Sequence, residues 1–134
     1  MARVAARDAR AEGIGVIPWS PLARGFLAGN RSQADRGETV RAKTDEFAHE
    51  MYYTDADFAV AESAAAVAKR RGVSPAQIAL AWLLAKPGVT APIVGASKPA
   101  HLEEAVAALA IRLDDEEMRA IEEPYQPHRV LGHS

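Results

Sequence analysis

The chain has 134 residues, 49% hydrophobic and 25% charged, which suits one soluble globular domain with a core of its own. A net charge of −2, with no basic patch interleaved with aromatics, argues against nucleic acid as a partner. No apolar run is long enough for a membrane span, Met1–Glu12 lacks the apolar core of a signal peptide, and the absence of cysteine excludes disulfides and thiolate metal sites, which fits a cytoplasmic location.

In chain order, Ala2–Ala11 reads as an alanine- and arginine-rich helix closed by Gly13. Gly15-Val16-Ile17-Pro18-Trp19 follows as a short apolar strand, expected to end near Pro18 because proline cannot donate to a ladder. In the next stretch, SPLARGFLAGN (Ser20–Asn30), Gly25 and Gly29 bracket Phe26 and Leu27. It lies just past the C-terminal end of a strand, where α/β proteins bind ligands, although spacing alone allows a plain connecting loop. Arg31–Tyr53 is polar and aperiodic, and a connection of that length is usually a functional cover or a mobile segment. Tyr52 and Tyr53 close it and read as surface anchors before pocket residues.

Thr54-Asp55-Ala56-Asp57 resembles a capping box, with Asp where Glu or Gln is usual, and opens a helix to about Arg71. Phe58, Ala61, Ala65 and Ala68 form its predicted apolar face, and Gly72 stops it. Ser74-Pro75-Ala76-Gln77 is a stronger helix start. The helix predicted over Pro75–Lys86 is apolar on nearly every side (Ile78, Leu80, Trp82, Leu83, Leu84) and should be mostly buried; Pro87-Gly88 ends it.

The segment TAPIVGASKPAHLEEAV, Thr90–Val106, predicts a strand, a glycine turn at Gly95 and a helix capped by the Ser97 hydroxyl, with Pro99 in its first turn. Free amides and the positive end of the helix dipole there suit an anion such as phosphate, and Lys98 adds a full charge. His101 and Glu104, one helical step apart, share a face, while Leu102, Ala105, Val106 and Leu109 make the expected buried stripe. An ordinary strand–turn–helix is the plainer reading of the same pattern. Asp114-Asp115-Glu116-Glu117 opens a last helix through Met118 and Ile121, halted by Pro124, with an irregular tail over Tyr125–Ser134. Strands alternating with helices imply an α/β fold with parallel strands and right-handed crossovers. His49, His101, His128 and His133 show no metal-ligand spacing, and neither a nucleophile elbow nor a nucleotide-hydrolase phosphate loop is present. A helix-turn-helix nucleic-acid reader over Arg70–Ala85 fails on the acidic balance and on the apolar second helix.

GIGVIPWSPLARGFLAGN together with GVSPAQIALAWLLAKPGVTAPIVGASKPAHLEEA resembles the C-terminal part of an aldo-keto reductase, over nearly the whole chain from about Ala9 to the PYQPH segment. The resemblance implies a (β/α)8 TIM barrel binding NADPH without a Rossmann domain, with Gly13–Trp19 as the seventh strand and Thr90–Val94 as the eighth. It implies that Ser20, Leu22, Arg24 and Gly25 hold the pyrophosphate, that Gly95, Ser97 and Lys98 grip the adenosine ribose and its 2′-phosphate, and that His101 and Glu104 contact the adenine end. Many members have Arg where Ser97 stands, Gln or Arg where His101 stands, and Asn where Ala105 stands. Lys98 then supplies the positive charge, as a point charge and not a planar fork.

The family reduces carbonyl substrates to alcohols by hydride transfer from NADP(H), with a Tyr proton donor supported by Lys, Asp and His, and no stretch here matches those motifs. A (β/α)8 barrel takes about 250 residues, so the expectation is a partial aldo-keto reductase domain over 1–134, as a truncated product, a late start or half of a split protein. Within it, 31–53 is a long loop and 125–134 a tail. Two functions follow: an NADPH-dependent oxidoreductase represented by its cofactor-binding half, or a non-catalytic piece that binds cofactor weakly or complements a partner supplying the missing strands. Self-association through uncovered edges is expected in either case.

Overall fold

The computed structural model describes Ala9, residues 11–29 and residues 54–127. Most of the predicted Ala2–Ala11 helix, the Arg31–Tyr53 loop with Tyr52 and Tyr53, and the tail from His128 onward lie outside the described residues, as do His49 and His133.

Reciprocal caps set where three of the helices begin. Helix α1 (Asp55–Arg71) starts at Thr54, whose Oγ1 accepts the Asp57 N–H at 3.3 Å while Asp57 Oδ2 accepts the Thr54 N–H at 3.0 Å. Gly72, at φ 67°, ends it with its N–H turned back to the Ala68 and Lys69 carbonyls. Helix α2 (Pro75–Leu84) starts from the same device, Ser74 Oγ accepting the Gln77 N–H at 3.2 Å and Gln77 Oε1 accepting the Ser74 N–H at 3.0 Å. It stops two residues short of the predicted Lys86. Helix α4 (Asp115–Glu122) is capped by Asp114 and Glu117 in the same way, at 2.9 and 3.0 Å.

The core joins Ala64, Val67 and Ala68 of α1 to Ile78 of α2 and Ile121 of α4, with Val73, Trp82, Ile111 and Leu113 packed around them. Burial of Ala76, Ile78, Ala79, Leu80 and Ala81 agrees with the expectation for α2, although Trp82, Leu83 and Leu84 are only half-buried. On α1 the buried set is Phe58, Ala64, Val67 and Ala68. The expected Ala61 and Ala65 are half-buried instead, because they face a shallow cleft toward Phe26 and Leu27. Helices α2 and α4 lie on the Val67 side and decide which stripe of α1 is covered.

The two segments predicted as strands form no continuous strand among the described residues; they lie side by side and parallel, joined by isolated bridges at Val16–Val89 and Trp19–Ile93. Val16 N–H donates to the Gly88 carbonyl at 2.9 Å, Thr90 N–H to Val16 at 2.8 Å and Ile93 N–H to Pro18 at 2.8 Å. Pairing runs one residue past Pro18, because proline lacks a donor but keeps its acceptor. Three residues on the second segment (90–92) face two on the first (17–18), a bulge that falls where Pro18 and Pro92 leave no N–H to pair. Gly15 permits the close approach, since a Cβ there would collide with the Thr90 side chain. Parallel segments with helices between them make an α/β arrangement.

Helix α3 (Pro99–Ala107) runs into a 3₁₀ turn, Ala108–Ala110. The expected buried stripe is not buried: Leu102, Val106 and Leu109 are each 57% exposed, and Ala105 is half-buried. Ala108 is the buried residue of this segment, facing α2, and no described element covers the opposite side. Periodicity marks an apolar face; whether anything lies over it is a tertiary matter.

Candidate functional site

Two loops leave the same end of the bridged pair, one after Trp19 and one after Ile93. The first folds back through an unusual backbone. Among the described residues, Ser20 (φ 51°), Ala23 (48°) and Arg24 (56°) are the non-glycine residues at positive φ, and Gly25 (92°) continues the run. Ser20 Oγ accepts the Arg24 N–H at 3.3 Å, the Ser20 carbonyl accepts the Ala23 N–H at 2.9 Å, and the Leu22 carbonyl accepts Gly25 N–H at 2.9 Å and Leu27 N–H at 3.2 Å. The 3₁₀ segment Ala23–Ala28 is therefore interrupted at Arg24 and Gly25.

Past that turn the loop is tied down. Phe26 is 2% exposed and meets Phe58 of α1 edge-on, with ring centroids 5.2 Å apart at 62°. Gly29, at φ 80°, lies against Pro75 of α2, where a Cβ would come within 2.7 Å of Pro75 Cγ. The Gly-Phe-Leu-Ala-Gly spacing marked this stretch without assigning Phe26 its role. The signal available was a bulky aromatic residue heading a short apolar run, Phe26-Leu27-Ala28, between two glycines.

The second loop, Gly95–Lys98, is exposed throughout and differs from expectation in two ways. Gly95 does not occupy the left-handed region, and a Cβ there would meet nothing within 4 Å, so the turn does not require glycine. Ser97 does not cap α3: the boundary residue is Lys98 (φ −138°, ψ 147°), and no side chain caps the helix. Pro99 accounts for the shift, since a residue before proline is pushed out of helical space, and that residue is Lys98. Ser97 Oγ instead lies 3.4 Å from His101 Nδ1. His101 is exposed and Glu104 half-buried on the same helix face.

Ser20, Leu22, Arg24 and Gly25 thus share the first loop, while Gly95, Ser97, Lys98, His101 and Glu104 occupy the second loop and the start of α3. Among the described residues no group of three or more His, Cys, Asp or Glu could hold a metal ion. No described helix is long and apolar enough to cross a membrane.

Sequence reading missed two polar contacts that hold α4 against the other helices. Glu117 reaches beyond its capping role to Arg71, with Oε1 accepting Nε–H and Oε2 accepting an Nη2 proton, both at 2.6 Å; that nitrogen also donates to the Arg112 carbonyl at 2.8 Å. The Arg71 hydrogen bonds hold the Glu117 carboxyl below the ordinary carboxylate range, against a burial that leaves the residue 8% exposed. Glu122 accepts from Trp82 Nε1 at 3.0 Å and pairs with Lys86, whose ammonium sits 4.6 Å from the centre of the Trp82 ring. The acidic run at 114–117 reads locally as a helix start, and nothing local pairs it with an arginine forty-six positions away.

A parallel pair with helices behind it and both loops at one end is the layout of an α/β protein with its site beyond the strand termini. Residues 5–126 match the model of the Aldo/keto reductase family, and the chain belongs to that oxidoreductase family. It is 40% identical, over 120 residues, to a Schizosaccharomyces pombe protein assigned by name as an aryl-alcohol dehydrogenase, covering 90% of this chain and 36% of that one. Versiconal hemiacetal acetate reductase of Aspergillus parasiticus is 38% identical over 121 residues, covering 88% of this chain and 34% of its own length. Among solved structures, a thermostable aldo-keto reductase in complex with the inhibitor epalrestat superposes with a TM-score of 0.60 at 26% identity, over 90% of this chain and 33% of that one. The glycerol dehydrogenase of Gluconobacter oxydans gives 0.66 at 22% identity, over 93% and 40%, a likeness of fold. The chain spans about a third of the length of the curated relatives it matches.

Proposed function

We propose that this chain forms the nucleotide-holding part of an NADPH-dependent carbonyl reductase, with its two bridged segments as the seventh and eighth strands of a (β/α)8 barrel. The observation that carries the reading is the parallel Trp19–Ile93 bridge, from which both loops set out side by side. Active sites of such barrels are built from the loops at that end. The residues fit an extended dinucleotide on two counts. Gly25 leaves open space where a side chain would stand, so an oxyanion can approach the backbone of the left-handed turn. Lys98 brings a full positive charge to the start of α3, where the helix dipole is also positive.

In this reading Ser20, Leu22, Arg24 and Gly25 hold the pyrophosphate; Gly95, Ser97 and Lys98 hold the ribose and its 2′-phosphate; His101 and Glu104 border the adenine. When bound, NADPH supplies the hydride that turns an aldehyde or ketone into an alcohol. A proton donor must stand within hydrogen-bond reach of the carbonyl oxygen. Tyr125 is 48% exposed beyond α4, away from the two loops in sequence and context, and takes no such role here. The chain therefore holds the nucleotide, and carbonyl-dependent oxidation of NADPH by the chain itself is expected to be absent. Steady oxidation on adding an aldehyde would overturn that assignment.

Fluorescence titration with NADPH and NADH tests the binding side. Lys98→Gln should weaken NADPH by about tenfold, the worth of one charge-assisted contact to phosphate, and leave NADH nearly unchanged. An unchanged ratio of the two affinities would remove Lys98 from the 2′-phosphate. A second reading, a non-catalytic piece that complements a partner bearing further strands, is favoured by the exposure of Ile17, Trp19 and Ile93 along the bridged pair.

A further inference from the structure

We infer that Ser20 is a positioning residue, whose hydroxyl oxygen keeps the turn after Trp19 in its left-handed form by accepting the Arg24 amide proton. Three side-chain-bearing residues in five positions, Ser20, Ala23 and Arg24, stand at positive φ. Such a run reverts to ordinary backbone unless its surroundings over-determine it. Downstream, Phe26 under Phe58 and Gly29 against Pro75 fix the far side of the loop. Upstream, the Trp19–Ile93 bridge fixes the strand. Between those anchors, two backbone bonds, Ala23 N–H to the Ser20 carbonyl and Gly25 N–H to the Leu22 carbonyl, tie parts of the turn, and the Ser20–Arg24 bond at 3.3 Å is a side-chain link from the first left-handed residue to Arg24. Ser20 is half-buried and its hydroxyl oxygen faces the loop, so its direct effect falls on the Arg24 amide, while the Ala23 and Gly25 amides are held by the Ser20 and Leu22 carbonyls. Its effect on a bound nucleotide through the turn adds to the pyrophosphate contact assigned to Ser20 above, and that part rests on the cofactor reading. Amide exchange at Arg24 is the readout that a direct contact alone would not move.

Ser20→Ala removes the acceptor. Ser20→Gly removes it too while fitting φ 51° without strain, so the pair separates the bond from the backbone preference. Ser20→Asn restores an acceptor on a residue that tolerates the left-handed region. Amide hydrogen exchange on the full chain reads the turn directly. The Arg24 amide should exchange about tenfold faster in the Ala and Gly variants and return toward the parent rate in Asn, the scale expected for one lost hydrogen bond. NADPH affinity should fall by up to about tenfold in Ala and Gly and recover in Asn. Arg24 exchange unmoved by Ala and Gly overturns the inference, as does faster exchange with unchanged NADPH affinity. If the parent chain binds no NADPH, the cofactor reading fails by itself, and the exchange pattern alone decides whether Ser20 holds the turn.

Discussion

At Gly29, backbone freedom and steric room are needed at once. Its φ of 80° lies in the left-handed region, and a Cβ would press on Pro75 Cγ at 2.7 Å. Gly29→Ala should therefore cost about 2 kcal/mol or more, the strain of a left-handed alanine plus overpacking against α2. Urea unfolding measures it, and a loss below about 0.5 kcal/mol would show that the loop relaxes away from the helix. Gly95 is the contrast: it has neither constraint, so Gly95→Ala should leave stability unchanged. Glu117 supplies a pH dependence. Its folded pKa lies below the unfolded value, chiefly through the Arg71 hydrogen bonds, so its contribution is complete above the ordinary carboxylate range and is lost as pH falls through the depressed value. Glu117→Gln should flatten the acid limb of the stability curve in thermal melts from neutral pH downward. An acid limb as steep as the parent's would assign that loss to other carboxylates.

At the scale of elements, the starts of α1, α2 and α4 were written locally. Thr54–Asp57 and Ser74–Gln77 form the reciprocal caps that their spacing announces, and Asp114–Glu117, read from sequence only as an acidic helix start, forms a third. The start of α3 was misread by one residue, because the constraint Pro99 places on Lys98 outweighs the capping preference of Ser97. The covered face was harder to read than the ends. On α1 the stripe shifted from Ala61 and Ala65 toward Ala64 and Val67, and on α3 the apolar seam Leu102–Val106–Leu109 faces outward. Leu102→Ser with Val106→Ser should then change the stability of the isolated chain by about 0.5 kcal/mol or less, since both residues are already 57% exposed. The same pair should shift sedimentation toward monomer if the seam drives self-association. A large loss of stability would mean that the seam is covered after all.

For the whole molecule, the bridged segments set which loops stand together and which surface stays open. Strands in parallel need helical crossovers, and α1 and α2 supply one between residue 19 and residue 89. That crossover sets both loops at one end and the helices behind them. Ile14, Ile17, Trp19 and Ile93 are more than half exposed on the same pair, an apolar surface of the kind that packs or associates.

The order of the described helices, the α/β class, the caps of α1 and α2 and the resemblance of the two loop motifs were determined by sequence alone, because each depends on residues a few positions apart. Periodicities of two and 3.6, proline's missing donor and glycine's freedom act locally and can be read locally. Tertiary structure decided the rest: the register of Val16 against Val89, the bulge opposite Pro18, the left-handed turn held by Ser20, and the joining of Arg71 to Glu117. Those contacts join residues far apart in the chain or depend on where neighbouring elements are anchored. No local pattern carries that information, and packing supplies it.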